Sequence, residues 1–161
     1  MKRISVALLT LTLACSLLLC GCSLLSEKEK TFTSGELTIQ LTNRFFESEY
    51  EGYDVVFDSS KVTVFVLKEE FSAAFGKEKM LNDYAELVID TNEMKDVTVQ
   101  TKDGLTYFTY SAKAEKDDYT YYAFVYKTDD AFWMIQFACE GKSVDRQIEN
   151  FFQYAKSVTF Q

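Results

Sequence analysis

Three consecutive stretches decide the fold: Leu105-Thr-Tyr-Phe-Thr-Tyr-Ser-Ala-Lys-Ala114, Tyr119-Thr-Tyr-Tyr-Ala-Phe-Val-Tyr126 and Ala131-Phe-Trp-Met-Ile-Gln-Phe-Ala-Cys139. Each repeats with period two, the mark of strands whose successive side chains point to opposite faces of a sheet. With the segment before them the period predicts four strands, over 96–101, 105–115, 119–128 and 131–140. The turns between them set the register, and a slip of one residue moves every side chain to the other face. Asp103-Gly104 is a two-residue hairpin signal and puts Val97 and Val99 beside Phe108, Tyr110 and Ala112. Asp129-Asp130, as a two-residue loop, aligns Tyr122, Phe124 and Tyr126 with Trp133, Ile135 and Phe137. In the middle hairpin, a three-residue loop of Lys116, Asp117 and Asp118 places both apolar stripes on one face, whereas a two-residue loop splits them. A sheet with one core face favours the three-residue loop.

Upstream, Leu37-Thr-Ile-Gln-Leu41 alternates strictly, and Tyr53–Phe57 and Val62–Leu67 read as a further pair of strands. Met80, Leu81, Tyr84, Leu87 and Val88 have helical spacing, which predicts an amphipathic helix over 77–90. Downstream, a helix starting at Ser143 carries Val144, Ile148, Phe151, Phe152 and Ala155 as its buried stripe, followed by a short strand over 157–160. The order describes an α+β sandwich: an antiparallel β-sheet of about six to seven strands with helices packed on it.

The N-terminus reads as an address. Lys2 and Arg3 precede an uncharged run from Ile4 to Ser26, the charged and apolar regions of a secretory signal. The run ends in Leu19-Cys20-Gly21-Cys22, which resembles a bacterial lipobox with Cys22 as the lipid acceptor. An uncleaved anchor or an ordinary secretory signal is the competing reading. The division that follows is a lipoprotein signal peptide over 1–21, lipidated Cys22 with a charged tether over 22–34, and one domain over 35–161. Cleavage before Cys22 takes the net charge from −8 to −10. That balance disfavours nucleic acid and anionic lipid surfaces, both of which are held mainly through Lys and Arg. Membrane attachment then comes from the N-terminal lipid, on the extracytoplasmic side of the cell membrane.

The chain has 161 residues, no histidine, no proline and six glycines that are never close together. No Ser-His-Asp triad, imidazole metal site, glycine-rich phosphate cradle or nucleophile elbow fits such a sequence. Cys139 ends an apolar stripe and reads as a buried thiol rather than a nucleophile, because no histidine is present to ionise it. Glu47, Glu49 and Glu51 with Gly52 and Asp58 have the spacing of a calcium loop but the wrong side chains, and read as a solvated acidic loop. Asp117-Asp118 and Asp129-Asp130 are turn residues at opposite ends of a strand. No metal and no cofactor are expected. The second face of the strands is the candidate partner-binding surface, carrying Tyr107, Tyr121, Phe132, Met134 and Gln136. Either the first helix covers it, or it is open to an envelope protein, a peptide or a glycan.

Leu37-Thr-Ile-Gln-Leu41 at the start, Phe132-Trp-Met-Ile-Gln-Phe137 near the end, and Phe151 followed by Ala155-Lys-Ser-Val-Thr-Phe160 together resemble the PsbP-like fold group. Its members include photosystem accessory proteins and small bacterial lipoproteins of the DcrB type. The resemblance covers most of residues 35–160 and implies binding or assembly rather than catalysis, with no site residue carried over. A cystatin-like sheet wrapped around one helix is the structural alternative. The expectation is thus a lipid-anchored envelope binding module without catalytic activity. A carboxylate-dependent hydrolase and a carbohydrate-binding surface are the competing functions.

Overall fold

The computed structural model describes residues 27–72, 75–114 and 117–161, so Cys22 and the signal segment lie outside the described residues. In chain order the elements are strands β1 (Glu29–Ser34), β2 (Leu37–Thr42), β3 (Phe46–Ser48), β4 (Val55–Asp58) and β5 (Thr63–Glu70), then helix α1 (Leu81–Thr91). Strands β6 (Gln100–Lys102), β7 (Leu105–Ala114), β8 (Asp117–Lys127) and β9 (Ala131–Glu140) follow. A 3-10 turn over Gly141–Arg146, helix α2 (Ile148–Lys156) and strand β10 (Thr159–Phe160) close the chain. Seven strands form one antiparallel sheet in the order β3-β4-β5-β9-β8-β7-β6, and β1-β2-β10 form a smaller antiparallel sheet. The architecture is the α+β fold of sheet and packed helices that the period-two pattern predicts.

Strand β9 lies between β5 and β8 and is buried continuously from Ala131 to Cys139. Its odd-numbered side chains, Trp133, Ile135 and Phe137, join Phe57, Val64, Val66 and Phe124 on the first face of the large sheet. Leu37, Ile39 and Leu41 of the small sheet and Phe151, Phe152 and Ala155 of α2 cover that face. The even-numbered Phe132 and Met134 join Phe108, Ala123 and Val125 on the second face, beneath Tyr84, Ala85, Val88 and Ile89 of α1. Polar ties fix the layers to one another. The Tyr126 hydroxyl donates to the carbonyl of Ala155 at 2.8 Å, and the Gln40 amide donates to Ser157 Oγ at 2.9 Å. Lys68 Nζ reaches both Glu36 and Asp130 at 3.0 Å.

Two hairpins have the register their turn residues predict. Lys102 pairs with Leu105 around Asp103 (φ 54°) and Gly104 (φ 80°), the left-handed conformations a two-residue hairpin needs. Lys127 pairs with Phe132 around Asp129-Asp130. The middle hairpin is a correction. Ala114 stands opposite Asp117, the register of a two-residue connection, and not the three-residue loop. The two apolar stripes are therefore split: Phe108 and Tyr110 share a face with Ala123 and Tyr121, while Tyr107 pairs with Phe124. The physical reason is that both faces of this sheet carry a packed apolar core, the second under α1 over part of its length, so nothing forces the larger side chains onto one of them.

Other boundaries move as well. The stretch read as tether is strand from Glu29 to Ser34, where Phe32 enters the core with its ring 5.2 Å from Phe57. A single inward apolar residue gives too weak an alternation to read, and pairing with β2 supplies the rest. Helix α1 starts at Leu81, with the Asp83 carboxylate accepting from the Met80 amide, and leaves Met80 and Leu87 exposed. Ser143 caps nothing, because a 3-10 turn precedes α2. Cys139 is fully buried, and burial beside Glu140 holds its thiol above the ordinary range. No helix among the described residues is long and apolar enough to cross a membrane.

If β1 is part of the domain, Phe32→Ala removes a buried aromatic and lowers unfolding free energy by about 3 kcal/mol in urea denaturation. A loss under ~0.5 kcal/mol, the range of an ordinary surface substitution, returns the segment to the role of tether.

Candidate partner-binding groove

The second face of the large sheet is the side on which α1 lies, and the helix does not reach across all of it. At the covered end, Phe132 is 1% exposed, stacked on Tyr84 at 4.6 Å and flanked by Phe71 and Phe75. Past the C-terminal turn of α1 the face emerges as a layer of aromatic rings. Tyr110 and Tyr121, opposite each other on β7 and β8, stack at 4.7 Å with planes 5° apart. Tyr53 lies 4.7 Å from Phe65, and Tyr50, 65% exposed, meets the same Phe65 ring edge-on at 5.9 Å.

Between this layer and the helix runs a groove of about 240 Å³. Leu67, Phe108, Tyr110, Met134 and Gln136 line it from the sheet, Val88, Asn92 and Met94 from the end of α1, and Gly52 with Tyr53 from the loop before β4. Gln136 is 5% exposed, and its Oε1 accepts from the Tyr110 hydroxyl at 2.6 Å, its one hydrogen bond among the described residues. A shallower hollow under residues 47–55 adjoins the groove and shares Gly52 and Tyr53 with it.

The chemistry of the lining is neutral. Burial raises the Tyr110 phenol above its ordinary range, and the neighbouring Tyr121 and Tyr53 hydroxyls add to the effect. Tyr53 is raised by burial and by Tyr50, and Tyr121 by burial and by Tyr53, Tyr119 and Tyr50. At neutral pH these groups are hydrogen-bond donors on apolar rings, not bases or nucleophiles. Among the described residues no carboxylate, lysine or thiol lines the groove. Two carboxylates elsewhere are held low: Asp103 by Lys156, and Asp130 by the Thr128 hydroxyl and Lys68. The acidic loop divides its roles. Asp58 accepts from Ser48 and Thr63, both at 2.7 Å, and so serves the β3-β4-β5 junction. Among the described residues no group of three or more acidic or thiol side chains converges as a metal site.

The five residues read from the sequence separate. Met134 and Gln136 line the groove, and Tyr121 stacks at its edge. Phe132 is buried under α1 and is not available to a partner. Tyr107 is on the opposite face: it is 7% exposed, lies edge-on 5.2 Å from Phe152, and donates its hydroxyl to Gln100 at 3.0 Å. The split register puts it there and brings Tyr110 to the groove in its place. Tyr50, Tyr53, Phe65 and Met94 were not legible as site residues. The one signal they carried was two tyrosines set within the acidic stretch 47–54.

No family model matches the chain, and no curated protein matches it. Among solved structures it is similar to the cyanobacterial PsbP protein, CyanoP, of Synechocystis, at 13% identity and a TM-score of 0.51, over 88% of this chain and 96% of that one. A Bacteroides thetaiotaomicron protein matches at 12% identity and a TM-score of 0.57, over 82% of this chain and about half (48%) of its own length. These likenesses establish a PsbP-like fold.

Phenols whose pKa is higher folded than unfolded support the fold fully below the unfolded value near ~10, and withdraw that support as pH rises through the folded value. The native protein at about pH 10.5 is expected to show less tyrosinate absorbance than the same chain in urea, and to lose stability above pH ~10. Tyr110→Phe reduces that pH dependence. Equal absorbance in the two states removes the buried-phenol description of the groove.

Proposed function

We propose that the protein is a lipid-anchored binding module of the cell envelope, attached through Cys22 on the extracytoplasmic side, without catalytic activity. The observation that carries this reading is the groove: a hollow walled by tyrosine, phenylalanine and methionine, with one buried amide and, among the described residues, no acid, base or nucleophile in its lining. Such a surface offers contact area and hydrogen bonds but no proton transfer. The PsbP-like resemblance supports the same class of role, since it implies binding and assembly. The lipobox resemblance at Leu19-Cys20-Gly21-Cys22 supports the address. Two or more acyl chains hold a protein stably at a bilayer, and β1 begins only a few residues after Cys22. The domain then stands close to the membrane surface.

Expressed in a bacterial host and fed an alkyne analogue of palmitate, the wild-type chain incorporates label and sediments with membranes. Cys22→Ala abolishes both. Label retained at the wild-type level moves the anchor away from Cys22. A photo-crosslinking residue placed at Tyr50 yields a discrete adduct in intact cells, and one placed at exposed Glu149 on α2 yields none. Adducts of equal yield at both positions, or at neither, remove the groove as the binding site.

A further inference from the structure

We propose that the groove receives a basic segment of a partner protein, with an arginine or lysine side chain laid against Tyr53 and the Tyr110–Tyr121 stack. This inference rests on the binding-module reading and names the partner's chemistry. Its first support is a contrast inside the molecule. Elsewhere, aromatic clusters carry the protein's own cations: Lys127 Nζ stands 5.4 Å from the Phe132 ring and 5.6 Å from Phe71, Lys68 lies over Trp133, Lys102 over Phe152, and Lys30 over Phe32. Among the described residues no lysine or arginine stands over Tyr50, Tyr53, Phe65, Tyr110 or Tyr121. The covered end of the second face has a built-in cation, and the open end has the rings without one.

The second support is charge. The two segments that supply Gly52, Tyr53, Asn92 and Met94 to the groove, residues 47–54 and 90–96, hold seven carboxylates against one lysine, Lys95. Asp54 and Asp58 are engaged in hydrogen bonds within the fold. Glu49, Glu51, Asp90 and Glu93 are exposed and form no ion pair among the described residues. An acidic rim around aromatic faces attracts a cation twice, through Coulomb steering and through the ring quadrupoles, and more strongly where the groove excludes water.

The third support selects a peptide over a bare cation. Gln136 is buried at the groove floor with one hydrogen bond satisfied, so its amide can exchange a further bond with a peptide group. Leu67, Met94 and Met134 give the methylene stem of the incoming side chain an apolar wall.

The test is fluorescence anisotropy on the full chain in neutral detergent, with dye-labelled decapeptides of one sequence carrying arginine, glutamine or glutamate at alternate positions, and with an N-acetylglucosamine oligosaccharide. The arginine peptide is expected to bind at least tenfold tighter than the glutamine peptide, and to weaken as salt rises. Tyr53→Ala costs about tenfold, and Tyr53→Phe, which keeps the ring, stays within about threefold of wild type. Glu51→Gln with Glu93→Gln weakens binding several-fold and flattens its salt dependence, whereas Glu29→Gln with Glu149→Gln changes neither. Equal binding of the arginine and glutamine peptides, or arginine binding indifferent to Tyr53→Ala, overturns the inference. Binding of the oligosaccharide or the glutamine peptide in its place, lost in Tyr53→Ala, overturns the cationic partner and leaves the binding module standing. Failure of the Tyr50 crosslink removes both.

Discussion

A strand buried on both sides is the constraint on which the rest of this structure depends. From Ala131 to Cys139 every residue of β9 is buried, so the strand needs a cover above and below and a hydrogen-bonded neighbour on each edge. At about 25 cal/mol per Å² of apolar surface, burying nine consecutive residues is a large contribution to the stability of the domain. Every other element is placed by that demand. The small sheet and α2 close the first face, α1 closes part of the second, and the chain returns after α1 to lay β6 to β9 back against β5. The one amide side chain within the buried run, Gln136, is tolerated because Tyr110 supplies its partner, and an unpaired amide there would cost about 1–3 kcal/mol.

The groove follows from a mismatch of lengths. Strands β7 and β9 have ten residues each and run about 33 Å, whereas the eleven residues of α1 extend about 16 Å. One helix of that length covers only part of the second face. The remainder carries half-buried tyrosines, whose rings stack on one another and on Phe65 and of which Tyr110 donates its hydroxyl to Gln136. The left-handed residues Glu93 (φ 51°) and Asp96 (φ 60°) mark where the chain turns sharply away after α1 instead of continuing over the sheet.

Electrostatics divides the surface in the same way. Lysines stand over the aromatic rings of the closed parts of the molecule, and the segments that supply Gly52, Tyr53, Asn92 and Met94 to the groove are rich in carboxylates. The negative charge of the chain is therefore not spread evenly, and its concentration in the segments beside Tyr50 and Tyr53 is the electrostatic basis of the proposed preference for a cationic partner.

The sequence by itself determined what is local. Asp103-Gly104 and Asp129-Asp130 set two hairpin registers, because turn conformation is decided within a few residues. The stripe of Phe151, Phe152 and Ala155 marked the buried face of α2, and the strand-rich pattern indicated the fold class. The proposed address at Cys22 rests on local sequence alone. The tertiary structure decided the rest. It joined β5 to β9, drew β1 into a sheet through Phe32, and fixed the middle hairpin so that Tyr110 faces the groove and Tyr107 faces α2. Period-two alternation separates the side chains into two sets, but when both faces are apolar it carries no label saying which set lies under a helix and which lies open. That label comes only from the elements packed above each face, and those arrive from distant parts of the chain.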